Sequence, residues 1–145
     1  MMTTATPTKL KKATFKHIEA ELYMYEETVK EIKALRENIM FCNSNTDENI
    51  GGGRSSLPSD PTGRIATALM TNRKLQNLES VAYAIETVYN TVNEDYKKLI
   101  RLKYWTRPQT LTWDGIADKL YVNKKTAQRW RDSIVCAIGE VLGWR

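Results

Sequence analysis

Four polar side chains set close together, Lys124, Lys125, Gln128 and Arg129, have the types and spacing that read nucleic-acid bases. A lysine or arginine donates to guanine O6 and N7, and a glutamine amide pairs with adenine N6 and N7. At helical spacing the four share an outward face, because Ala127, Trp130 and Ile134 recur at three- and four-residue intervals on the other side. Around them, Arg107, Thr112, Asn123, Thr126 and Arg131 are placed to meet phosphate oxygens, contacts that position a protein on DNA without reading sequence. The charge agrees. The 145 residues carry a net +5, and residues 93–145 hold 11 basic against 6 acidic side chains, so the whole excess lies in this last segment.

Such side chains read a groove only if a rigid element presents them. The stretch Leu111-Thr112-Trp113-Asp114-Gly115-Ile116-Ala117-Asp118-Lys119-Leu120 predicts a helix. Thr112 caps its start and Asp114 favours the first turn. Ile116 and Leu120 point inward, and the small Ala117 lets a second helix cross closely. Tyr121-Val122-Asn123 follows as a three-residue turn, with Val122 filling the hinge and Asn123 as a strong N-cap. The second helix then buries Ala127, Trp130, Ile134 and Ile138. This is the pattern of a helix-turn-helix whose second helix enters the major groove. Its core is Ile116, Ala117, Leu120, Val122, Ala127, Trp130 and Ile134. A preceding helix over 94–105 carries Tyr96, Leu99, Ile100 and Tyr104, and Pro108 closes it by disfavouring a helical predecessor.

Residues 1–92 read as a scaffold and oligomerisation region. Phe15, Ile18, Leu22, Tyr25, Val29 and Ile32 step by three and four, as do Leu75, Leu78, Ala82, Ile85, Tyr89 and Val92. Arg36 breaks the first series. Each series predicts a helix of roughly 28 residues, about 42 Å long. The two are joined by a Gly/Pro-rich loop over 43–63, the one long loop in the sequence. Two apolar seams on long helices must cover each other, as a hairpin or coiled coil, or copies of themselves. The predicted fold is therefore all-α, a long N-terminal helical hairpin or coiled coil followed by a C-terminal helix-turn-helix domain over 93–145. A homo-oligomer is expected, since linked reading modules multiply a small module's affinity, and residues 93–145 are expected to carry DNA affinity by themselves.

Other chemistries find little support. No apolar run approaches the roughly 18–20 residues of a membrane helix, and the first residues lack the apolar core of a signal peptide. Cys42 and Cys136 stand far apart, and His17 is the single histidine, so no metal site and no conventional triad is expected. Gly51-Gly52-Gly53-Arg54-Ser55 lacks the Gly-Lys-Ser/Thr ending and the preceding strand of a phosphate-binding loop. It reads as a flexible joint, or as a loop from which Arg54, with Arg64 beyond, touches phosphate or a partner. No cofactor and no enzymatic activity are expected, and the bacterial cytoplasm is the expected compartment.

Residues 93–142 resemble the promoter −35-reading helix-turn-helix of bacterial sigma factors. An acidic start leads into a Leu/Ile-rich helix (Asn93 to Tyr104), then Leu111-Thr112-Trp113, Ile116-Ala117, Leu120 and the capped basic helix. Over about 15–145 the chain closely resembles the RinA family of phage late transcriptional activators, akin to ArpU-type regulators. The shared segments include the Gly51–Ser55 loop, Asp60-Pro61-Thr62-Gly63-Arg64 and Leu102-Lys103-Tyr104-Trp105. The resemblance implies activation of phage late packaging and structural genes together with host RNA polymerase. Tyr121 stands where the sigma turn has glycine, and Trp130 where it has a smaller aliphatic residue. No second sigma-like domain is present, so a complete sigma factor is not expected. Two other functions fit the residues: a small terminase-like subunit that recognises phage DNA for packaging, and a coiled-coil interaction protein with a basic end.

Overall fold

The computed structural model describes residues 9–47 and 61–145, and among them the chain is all-helical, with no strand. The order is α1 (Lys12–Tyr23), α2 (Tyr25–Asp47), α3 (Pro61–Thr91), α4 (Glu94–Tyr104), α5 (Trp113–Leu120) and α6 (Lys124–Leu142). The Gly51–Ser55 loop, Arg54 included, lies outside the described residues, as does the side chain of Arg64.

The expected loop over 43–63 is shorter than predicted at both ends. Helix α2 continues through Asp47, and α3 begins at Pro61. A proline suits that first position, because the N–H it lacks would have had no partner within the helix. The expected helix of roughly 28 residues before the loop is instead two, interrupted at Met24 (φ −97°, ψ 11°). Two side chains explain the break. Trp105 Nε1 donates to Leu22 O (3.2 Å), and Arg107 Nη2 donates to Tyr23 O (2.7 Å). Both carbonyls would otherwise serve the next turn of a continuous helix.

The described residues fall into two compact units, one formed by the chain up to Tyr25 with Val81–Arg145, the other by Glu26–Ser80. The first has one continuous core. Ile18 and Leu22 of α1, Val81, Ala84, Ile85 and Val88 of α3, and Leu99, Ile100 and Tyr104 of α4 meet Ile116, Ala117 and Leu120 of α5 and Ala127, Ile134, Val135 and Ile138 of α6. Ile18, Leu22 and Ile85 of the predicted seams are therefore consumed inside this unit, with Phe15, Tyr25 and Tyr89 packed at its margin. Gly139 lets α1 approach α6: a Cβ there would stand 3.1 Å from Leu10 Cδ2 and 3.2 Å from Ile18 Cδ1.

In the second unit, Ile32 is buried while Val29 is 42% exposed, so the predicted seam is covered unevenly. Leu75 and Leu78 are half-buried. Arg36, which breaks the apolar series, meets Glu79 at 2.7 Å, and Lys74 meets Glu31 at 2.6 Å.

Candidate nucleic-acid interface

Helix α5 is short, and its two ends define it. Thr112 adopts an extended backbone and its hydroxyl oxygen accepts from Gly115 N (3.3 Å). At the other end Tyr121 N donates to Asp118 O (3.2 Å) and Val122 N to Ala117 O (3.1 Å), the paired closing bonds of a Schellman motif. That closure needs a left-handed residue, and Tyr121 supplies it (φ 58°, ψ 39°). A side chain in that conformation costs about 1–2 kcal/mol relative to glycine. Asn123 follows with extended backbone (φ −73°, ψ 151°), and α6 starts at Lys124. Asn123 was expected to cap α6 with its side chain, and here the structure differs: it occupies the cap position without a side-chain capping bond. Its amide is free for other contacts.

The faces of α6 are sharply divided. Ala127, Ile134, Val135 and Ile138 are buried, and half-buried Trp130 lies 5.3 Å from Tyr96, ring to ring. Of the four side chains singled out for base reading, Lys124, Lys125 and Arg129 are exposed and Gln128 is half-buried. They share the first turns of α6. Ile116, Ala117 and Leu120 are buried across from them in α5, with Val122 half-buried in the turn.

The five residues expected at the DNA backbone are placed differently from one another. Thr112 is exposed, and with its oxygen accepting at the α5 start its proton is available to donate. Asn123 is exposed and Thr126 half-buried. Arg107 is held by Tyr23 O. Arg131 is drawn inward: its side chain is 20% exposed, pairs with Glu19 (3.4 Å) and Asp132 (2.7 Å), and lies over the rings of Phe15 (5.1 Å) and Trp113 (5.0 Å). Burial disfavours its charge, but the bond it donates to Asp132 and the charges of Glu19 and Asp132 prevail and hold the guanidinium protonated.

Three supports of this site were not legible in the spacing. Tyr104 is buried and its hydroxyl donates to Glu19 Oε2 (2.6 Å), the oxygen that Arg131 also reaches. Burial first, then the bond to Glu19, pushes that hydroxyl well above the ordinary tyrosine range. Trp113 has two cations over its ring, Lys103 at 4.7 Å and Arg131 at 5.0 Å. Gln109 ties the link between α4 and α5, donating to Leu102 O (2.9 Å) and Lys103 O (2.6 Å) and accepting from Leu111 N (3.0 Å).

The exposed Lys9, Lys11, Lys12 and Lys16 lie elsewhere. Leu10 packs by Gly139 and the Thr14 hydroxyl donates to Arg145 O, so this cluster is at the far end of α6. Nineteen residues of helix, about 28 Å, separate that end from Lys124. Among the described residues no group of acidic, histidine and cysteine side chains could hold a metal, and no helix is long and apolar enough to cross a membrane.

No solved structure matches the chain. It is similar to the transcriptional activator rinA of Staphylococcus phage phi11, 25% identical over 134 residues that cover 92% of this chain and 94% of that protein. A family model described as Protein of unknown function (DUF722) matches residues 11–140, nearly the whole length from α1 to the last turn of α6, and the chain belongs to that family.

Proposed function

We propose that the protein is a transcriptional activator of phage genes that binds double-stranded DNA in a sequence-specific way through α5 and α6, used as a helix-turn-helix. The observation that carries this reading is the start of α6. Lys124, Lys125 and Arg129 stand exposed there, with Gln128 beside them, on a helix anchored by the buried Ala127, Ile134 and Ile138. The similarity to a phage activator along nearly the full length of both chains supports the same assignment.

In this proposal Lys124, Lys125, Gln128 and Arg129 contact base edges, while Thr112, Asn123 and Thr126 donate to phosphates at the groove margin. Arg107 contributes at the same margin. Arg131 acts from inside, holding α6 to α1 and α5 through Glu19 and Trp113. Residues 93–145 hold the reading helices, whose core α1 and the end of α3 complete, and residues 1–92 also supply the scaffold and the surface for self-association. The site of action is the bacterial host cytoplasm, the targets are late packaging and structural genes, and the partner is host RNA polymerase.

Footprinting over phage late promoters, combined with transcription by purified host polymerase, tests this reading. Protection of a defined site and stimulation of transcripts from it are expected. Protection confined to packaging-initiation DNA, without stimulation, would assign the protein to packaging instead. Lys125→Ala and Arg129→Ala are each expected to weaken binding to the protected site by ~1–3 kcal/mol and to relax preference at one base pair.

A further inference from the structure

Tyr121 is the most exposed large side chain among the apolar and aromatic residues described, at 90%, and it lies in the three residues joining α5 to α6. The far end of α6 shows how the chain closes a helix when closure alone is needed. There Gly143 takes the left-handed position (φ 74°), with the same pair of bonds, Gly143 N to Glu140 O and Trp144 N to Gly139 O. At the end of α5 the same geometry is imposed on a tyrosine, against its backbone preference. Tyr121 does not belong to the apolar core or to the side chains packed on it. Its surroundings are cationic. Lys98 Nζ lies 5.7 Å from the ring centroid and is held there by a 3.0 Å bond to Lys119 O. From Lys119 through Arg131 the chain has five basic residues and no acidic one, Asp118 and Asp132 being the nearest carboxylates on either side. A phenol with one ammonium over its ring, in a stretch of chain rich in Lys and Arg, is complementary to a polyanion, and an apolar protein groove would leave those charges unmatched.

We infer that Tyr121 is a contact to the DNA sugar-phosphate backbone: its hydroxyl donates to a phosphate oxygen at the edge of the groove that α6 enters, with Lys98 and Lys119 beside it. This inference rests on the use of α5 and α6 as the DNA reader and adds to it a residue that positions rather than reads. In a helix-turn-helix the first helix crosses the backbone while the start of the second reaches the bases, so the turn between them passes close to phosphate.

Fluorescence anisotropy on the full chain tests the contact with two probes, a duplex recovered from a random-sequence pool by selection on the protein and a scrambled duplex of equal length. Tyr121→Phe removes the hydroxyl; Tyr121→Gly removes the side chain and suits the left-handed turn, so the fold is kept. Both variants are expected to weaken binding to the two duplexes by the same factor, about ten-fold, with the preference between them unchanged. Unchanged affinity of Tyr121→Gly for both duplexes would overturn the contact and leave a protein partner as the occupant of this surface. A loss confined to the selected duplex would overturn it too, making Tyr121 a base reader. Lys125→Ala and Arg129→Ala separate the two levels: if they abolish the preference while the Tyr121 variants bind normally, the inference fails alone. If selection recovers no duplex, the DNA-reading assignment fails and takes the inference with it.

Discussion

Glu19 has an outsized role for a residue on the first helix. One of its oxygens accepts from the Tyr104 hydroxyl at 2.6 Å and from Arg131 at 3.4 Å, so a single carboxylate joins α1, α4 and α6. Removing it leaves a buried hydroxyl without an acceptor and a half-buried guanidinium with only Asp132. Glu19→Ala is therefore expected to lower unfolding free energy by about 2 kcal/mol in urea titrations, more than Tyr104→Phe, which leaves Glu19 and Arg131 paired. The burial of that hydroxyl, together with its bond to Glu19, predicts a pH dependence. The Tyr104 pKa is raised in the folded state, above its ordinary value of 10.0. Its contribution is fully present below about pH 10 and is lost as pH climbs above that, because the unfolded chain ionises first. Urea titrations between about pH 8 and 11 should show the wild type losing stability more steeply than Tyr104→Phe.

Elements are held here by close approach as much as by apolar area. Gly139 on α6 stands so near Leu10 and Ile18 that a branched side chain would push α1 away. Gly139→Val is expected to destabilise by roughly 1–3 kcal/mol, read as a lower urea midpoint with an unchanged slope. At the start of α5 the Thr112 cap is smaller in effect, and Thr112→Ala should cost about 1 kcal/mol by the same measurement. The ladder within α1 and α2 could be read from the sequence as one continuous run, since its apolar series is unbroken at Met24. What interrupts it comes from 80 and more residues away, the indole of Trp105 and the guanidinium of Arg107 taking the Leu22 and Tyr23 carbonyls.

For the molecule as a whole, the shared core decides where a fragment can be cut. The sequence-based expectation that residues 93–145 bind DNA by themselves relied on charge and motif. The structure places Ile18 and Leu22 of α1, together with Val81, Ala84, Ile85 and Val88 of α3, in the core that α4, α5 and α6 share. Without α1 and α3 the apolar faces of α4 and α6 are uncovered, and each large apolar side chain so exposed forfeits about 1.5–3 kcal/mol. A fragment of residues 93–145 is therefore expected to lack a cooperative thermal transition and to bind DNA only in the weak, salt-sensitive manner of an unfolded basic chain. Full-length protein should show the transition, by circular dichroism under the same conditions.

Much of the proposed reading surface was legible because its signals are local. The three- and four-residue spacing of Ile116, Leu120, Ala127 and Ile134, the cap at Thr112 and the run of Lys and Arg are properties of neighbouring residues, and a helix converts such spacing directly into faces. The all-α class followed for the same reason. Only the tertiary structure decided the partners of those faces: that Ile18 and Leu22 pack into the core of α4, α5 and α6, that Arg131 turns inward to Glu19 and Trp113, and that Asn123 makes no cap bond. The first two depend on contacts between residues far apart in the chain, where competing acceptors and packing override what each short segment prefers on its own.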